Sequence, residues 1–284
     1  MFTTLLFAPG DSERKMMKAL SGGADLVILD MEDSVSAANK EEARQVTANV
    51  LKATTSENVL RYVRVNPFET EMTEADIAAV LPHKPDGIVL PKANGQADVE
   101  AVDALLTQYE AGDTKGATGL ITIATENADS VLSLARDRIS HPRLKGMMWG
   151  AEDLAADIGA SANYVDGQFT EPFRLARNLC LLAARAANVI PIDTIYADFR
   201  DESGLCQQSL EACRDGFLAK AAIHPAQLEV IKSAFTPTEE QASWARNVVQ
   251  AFADADTGVA SLDGKMLDMP HLRMAQNILH RLGS

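Results

Sequence analysis

The sequence predicts an α/β fold, a (β/α)8 TIM barrel over residues 1–235 with a helical, lid-like extension over residues 236–284. Two observations lead there. Eight short apolar runs recur along the chain, mostly continuous rather than alternating, as parallel strands buried on both faces require. Segments of helical period lie between them, and regular strand–helix alternation implies right-handed crossovers and a parallel sheet. An open doubly wound sheet is the alternative, but no GxGxxG follows a strand to favour it.

The predicted strands are Leu5 to Ala8, Leu26 to Leu29, Tyr62 to Val65, Gly87 to Leu90, Leu120 to Ala124, Gly146 to Trp149, Val189 to Tyr196 and Leu218 to Ile223. Between the second and third, Ala43, Val46, Val50 and Leu51 make an apolar helical stripe. Ile77, Val80 and Leu81 make the next, behind the capping pattern Thr73-x-x-Asp76. Leu175, Leu179 and Leu182 repeat the theme before the seventh strand. After the eighth come a helix from Pro225 to Ala234 and a break at Phe235-Thr236-Pro237. A long helix follows, opened by the capping box Thr238-x-x-Gln241 and carrying Trp244, Val248 and Phe252. A hinge over Asp254 to Gly258 leads to Val259-Ala-Ser-Leu-Asp-Gly-Lys-Met-Leu-Asp and a last amphipathic helix.

At 284 residues, 46% hydrophobic and 23% charged, the chain can fill one large core. Its formal charge of −14, with no basic run, excludes a nucleic-acid partner, because phosphate-backbone affinity rests on clustered Lys and Arg. An anionic substrate would need local cations or a metal to meet it. Cys180, Cys206 and Cys213 lack CxxC spacing and read as reduced core residues. No stretch approaches 18 apolar residues and the N-terminus lacks a basic n-region, so the expectation is a cytoplasmic protein without membrane contact.

Barrel chemistry sits at the carboxyl ends of the strands. The polar residues there are Asp30, Glu32 and Asp33, then Arg64 with Asn66, Lys92, Glu126, Glu152-Asp153, Asp193 and His224. Carboxylates converging on one mouth repel one another unless a cation sits among them. Glu126 and Asp153 end adjacent strands, and sparse oxygen ligation of that kind suits Mg2+; helix N-caps or first-turn acids are the competing reading. Arg64 can bind a carboxylate or an enolate oxygen, or can be buried in an ion pair with Asp30 or Glu32. Lys92 reads as a group orienting an acidic metal neighbour, and His224, before Pro225, as a cap on the following helix.

The landmarks Leu6-Phe-Ala-Pro-Gly10, Leu29-Asp-Met-Glu-Asp33, Arg64-Val-Asn-Pro67, Leu90-Pro-Lys92, Thr125-Glu126, Trp149-Gly-Ala-Glu-Asp-Leu-Ala-Ala-Asp-Ile-Gly159, Ile223-His-Pro225 and Leu262-Asp-Gly-Lys-Met266 occur in order along nearly the whole chain. Together they resemble the citrate lyase β-subunit-like family of the HpcH/HpaI aldolase group, which includes malyl-CoA and citramalyl-CoA lyases. The resemblance implies a barrel assembled as a homotrimer or hexamer, with Mg2+ on Glu126 and Asp153. It implies that Arg64 binds the reacting substrate and that the Glu152-Asp153 backbone cradles the carboxylate of glyoxylate, pyruvate or oxaloacetate. It places Asp263, reaching the mouth of a neighbouring subunit, as the acid–base group. The substrate-binding set it implies is Phe7, Lys18, Arg64, Glu126, Glu152, Asp153, Ile223 and His224. Two departures stand out: Ser12 where some members carry arginine, which leaves CoA phosphate to Arg14, Lys15 or Lys18, and Ala219 in place of the second glycine of Gly-Phe-x-Gly-Lys.

The function this implies is an Mg2+-dependent acyl-CoA lyase that cleaves or forms a carbon–carbon bond in a malyl-, citramalyl- or citryl-type thioester, giving acetyl-CoA and a 2-oxo acid. A malyl-CoA thioesterase, a citrate lyase subunit acting on an acyl-carrier protein and a non-catalytic binder are the alternatives.

Overall fold

Eight parallel strands close into a barrel in chain order: β1 (Thr4–Pro9), β2 (Leu26–Asp30), β3 (Leu60–Arg64), β4 (Gly87–Leu90), β5 (Gly119–Ile123), β6 (Leu144–Met148), β7 (Ile190–Asp193) and β8 (Ala219–Ala222), which pairs back onto β1. The computed structural model describes residues 2–55, 57–112, 115–255 and 258–283. Alternation along each strand explains the unbroken apolar runs. Leu5, Leu26, Ile28, Tyr62, Val89, Ile121, Ile123, Met148 and Ile192 fill the inside with Ala219 and Ala221. Their neighbours Leu6, Val27, Leu29, Val63, Ile88, Leu90 and Met147 pack outward under the helices. The Tyr62 ring leaves no room for a side chain at Gly87, where an added Cβ would lie 2.1 Å from it. The alanine at position 219 is fully buried in this plug, so its methyl is absorbed by packing.

The helices are α1 (Glu13–Leu20), α2 (Lys40–Ala53), α3 (Thr73–Val80), α4 (Gln96–Tyr109), α5 (Ala128–Arg136), α6 (Glu152–Asp157), α7 (Glu171–Ala187), α8 (Glu202–Asp215) and α9 (Gln227–Phe235). Four expectations are corrected in detail, the first being the α7 stripe: Leu175 and Leu182 are exposed, and Phe173, Ala176, Cys180 and Ala184 face the core instead. Thr73 does not cap α3: it is the first helical residue, its hydroxyl donates to Asn66 O at 2.8 Å, and Asp76 instead accepts from Asn66 and Arg44. The third strand begins at Leu60, since the Leu60 N–H already pairs with Asp25 O. The seventh strand ends at Asp193 rather than Tyr196, where the buried Lys220 Nζ takes the Thr194 carbonyl at 2.8 Å. Between β6 and α7, a segment without a predicted element, the six-residue α6 is followed by a hairpin, Tyr164–Val165 with Gln168–Phe169, whose Phe169 packs edge-on against Trp149 at 4.8 Å.

Beyond the barrel, α10 (Glu239–Ala253) opens with the expected Thr238/Gln241 capping box. An antiparallel hairpin, Val259–Leu262 with Lys265–Asp268, then leads to α11 (Met269–Leu282). These elements share a small core of Ala245, Val248, Ala260, Leu267, Ala275 and Ile278, separate from the barrel interior. Asp256 and Thr257 of the expected hinge lie outside the described residues. All three cysteines are free, and among the described residues no helix is long and apolar enough to cross a membrane.

Candidate active site

The strand ends surround a cavity of about 390 Å³ at the carboxyl mouth of the barrel. Phe7, Ile123, Met148, Ile195 and Ile223 form its apolar wall, and Asp30, Arg64, Glu126, Glu152 and Asp153 its polar one. Apolar walls with a few convergent polar groups are what a small-molecule site requires.

Arg64, at the end of β3, realises both readings of the sequence at once. Its Nε and Nη2 donate to the two Asp30 oxygens at 2.7 and 2.8 Å, a fork that locks the guanidinium plane. Nη1 lies 2.7 Å from Glu32 Oε2, an ion pair in which that oxygen accepts no aligned hydrogen bond. The guanidinium is also 4.9 Å above the Phe7 ring and faces the cavity. Burial alone would raise the Asp30 pKa, but Arg64 outweighs it and holds Asp30 below its ordinary value. At Glu32 burial prevails and the carboxyl lies above its ordinary value.

Glu126 follows β5 and is not a helix cap: Asn127 caps α5, in a reciprocal box with Ser130. The Glu126 carboxylate instead accepts the Lys92 backbone N–H at 2.5 Å. Burial, reinforced by the negative charges of Glu32 and Asp153, pushes its pKa up to about 8. Gly150, two residues past β6, makes room for it, since an added Cβ would meet Glu126 Cγ at 2.9 Å. Asp153 sits in the first turn of α6, as the competing reading had it, yet its carboxylate reaches Lys92 Nζ at 3.1 Å. Glu152 lines the same cavity and accepts from Asn163 at 3.0 Å.

Three implied residues fall outside the cavity lining. Lys18 is exposed in the last turn of α1, while Arg14 and Lys15 sit in the first, nearer the mouth. His224 stacks on Phe199 at 4.6 Å and accepts the Ala226 N–H at 3.2 Å, a turn contact ahead of α9 rather than the expected cap, since the N-cap position is Ala226 and no side chain caps the helix. Asp263 is exposed at the hairpin tip, with a left-handed backbone (φ 49°) followed by Gly264 (φ 75°), as a two-residue turn demands.

Among the described residues no three Asp, Glu, His or Cys side chains form a ready metal cage. The donor set nevertheless fits Mg2+, which binds through one or two carboxylates and keeps several waters. Glu126 is a carboxyl made reluctant to ionise by burial first and by Glu32 and Asp153 after it, and Glu32 Oε2, also buried, has beside it, among the described residues, only the unaligned Arg64 guanidinium. Both are what a cluster arranged around a cation shows when read without one.

The description "HpcH/HpaI aldolase/citrate lyase" matches residues 3–225. The chain belongs to this family. A second description, "C-C bond lyase of the TIM-barrel fold", matches residues 170–283. Among relatives of this HpcH/HpaI chain, (3S)-malyl-CoA thioesterase of Cereibacter sphaeroides is 35% identical over 98% of this chain and 93% of its own length. Mitochondrial citramalyl-CoA lyase of Rattus norvegicus is 32% identical over 97% and 84%. The crystal structure of protein CitE from Mycobacterium tuberculosis, with magnesium, acetoacetate and coenzyme A, superposes with a TM-score of 0.81 at 31% identity, covering 100% of this chain and 98% of that one. The HpcH/HpaI family is thus a lyase family whose structural neighbours hold magnesium.

Asp30, Glu32 and Lys92 matter more to the site than their absence from the implied substrate set suggests. The signal was available for the first two: Asp30 and Glu32 alternate, so one strand end presents both carboxylates to a cation on the next strand.

Proposed function

We propose that this chain is an Mg2+-dependent acyl-CoA lyase that cleaves a 3-hydroxyacyl thioester into acetyl-CoA and a 2-oxo acid, or runs the reverse condensation. The observation that carries the reading is one cavity holding Glu126, Asp153 and an aligned Arg64 against an apolar wall. Glu126 and Asp153 would hold the metal, which supplies a Lewis acid for the hydroxyl and carboxylate of the substrate. Cleavage breaks the bond between the hydroxyl-bearing carbon and the thioester α-carbon. The electron pair stays on the α-carbon as an enolate, and the hydroxyl releases its proton to solvent and becomes the carbonyl of the oxo acid. Arg64, fixed by Asp30, places positive charge where the enolate oxygen develops. The backbone of Glu152 and Asp153 takes the oxo-acid carboxylate.

Asp263 protonates the enolate carbon in cleavage and removes the methyl proton of acetyl-CoA in condensation. It lies outside this chain's own cavity lining, so the reading assigns it to a neighbouring subunit of a homotrimer or hexamer. Residues 236–284 are then the lid and 1–235 the catalytic barrel. Arg14, Lys15 and Lys18 on α1 are the bases available to CoA phosphate. The walls of Ile123, Met148, Ile195 and Ile223 suit the hydrogen of glyoxylate or the methyl of pyruvate.

The likeness to a malyl-CoA thioesterase favours a second reading, hydrolysis of the thioester at the same site. Products separate the two. Incubating the protein with malyl-, citramalyl- and citryl-CoA and Mg2+ is expected to yield acetyl-CoA; free CoA with the intact hydroxy acid would mean a hydrolase. Inactivity on every CoA thioester would point to a carrier-protein substrate.

A further inference from the structure

Lys92 touches three of the acids at the mouth. It follows β4 behind Pro91 and has a left-handed backbone, φ 52°, which a non-glycine residue adopts only at an energetic cost. That conformation accompanies two placements. The backbone N–H meets Glu126 Oε2 at 2.5 Å, and the ammonium lies 2.7 Å from Glu32 Oε1 and 3.1 Å from Asp153 Oδ1. One residue therefore supports one proposed metal ligand through its backbone and occupies the other through its charge. Arg64 cannot do the same work, because Asp30 and Glu32 already hold it.

We infer that Lys92 is a positioning residue and resident counter-cation of the metal site, holding Glu126 and Asp153 in place before the metal arrives and yielding Asp153 when it binds. The inference rests on the reading of Glu126 and Asp153 as metal ligands. Two physical consequences follow. The ammonium spares the metal-free site the repulsion of clustered carboxylates. It also opposes the incoming dication, because two like charges so close together repel appreciably even at high dielectric. Burial opposes the Lys92 charge, but Glu32, Glu126 and Asp153 outweigh it, so the ammonium stays charged across the physiological range.

The test is Mn2+ binding to the metal-free full-length protein, by calorimetry or electron paramagnetic resonance, for wild type, Lys92→Met and Lys92→Arg. Removing the charge is expected to tighten Mn2+ binding about tenfold or more. Lys92→Arg, which keeps the charge, is expected to stay within about threefold of wild type. A Lys92→Met protein that binds no tighter, or a Lys92→Arg protein that binds as tightly as it, overturns the inference while leaving the metal site standing. Wild-type protein that binds no Mn2+ overturns both. Should Lys92→Met fail to fold, crystal structures of the wild type with and without Mn2+ decide: the ammonium must leave hydrogen-bonding distance of Asp153 in the loaded form, and an unchanged 3.1 Å contact contradicts the inference.

Discussion

Glu126 is buried to 3% exposure, and its carboxyl is pushed up to about 8 by that burial and by Glu32 and Asp153. The sign of the pH effect follows. A carboxyl whose folded pKa lies above its unfolded value stabilises the fold below the unfolded value, and that contribution disappears as pH rises through the folded one. The metal-free protein should therefore lose stability between about pH 4.5 and 8, by up to about 1.4 kcal/mol per pH unit. A metal binds the ionised carboxylate, so the rise in Tm on adding Mg2+ is expected to be larger at pH 8.5 than at pH 6.5; an equal rise at both would contradict the assigned ligand. At this scale the place of Glu126 and Arg64 at the mouth was legible, since a polar residue at or just past the end of an apolar strand has few places to point, whereas Asp153 reaches the same cavity from the first turn of α6. The Lys92–Glu32 contact was not: it spans 60 residues, and only the folded sheet, which sets β2 and β4 on either side of β3, brings them together.

Elements reveal why some boundaries were misread. Hydrophobic periodicity marks where a strand is buried, but side chains decide where its ladder stops, as Lys220 does at Thr194 and Asp76 does before α3. Both two-stranded hairpins turn on an Asp-Gly pair with positive φ, Asp166-Gly167 and Asp263-Gly264. That dipeptide is the strongest local hairpin signal, and it was available at Asp166 as well as in the tail. The tail hairpin carries its own prediction. Asp263→Asn should leave Mg2+ and oxo-acid binding intact while lowering kcat about a hundredfold or more, the scale of a lost general acid or base. If the hairpin serves a neighbouring barrel, mixing inactive Asp263→Asn and Glu126→Ala subunits should restore part of the activity. Mixed oligomers without recovery would place Asp263 outside the shared site.

For the molecule as a whole, a net charge of −14 and a cavity rimmed with acids are at odds with an anionic substrate unless cations reside at the mouth. The barrel resolves this by concentration: Arg64 and Lys92, from adjacent strands, face the acids of β2, β5 and β6, and a divalent cation on Glu126 and Asp153 would complete the balance. The eight strands supply rigidity and the loops after them the polar groups of the cavity, and closing a neighbouring site is the role proposed for the extension beyond α9. The most direct measurement is release of acetyl-CoA from citramalyl-CoA by wild type and Glu126→Ala, each in Mg2+ and in excess chelator. Turnover by wild type in Mg2+, lost in chelator, restored by added Mg2+ and absent from Glu126→Ala is the predicted result; undiminished wild-type turnover in chelator would contradict it.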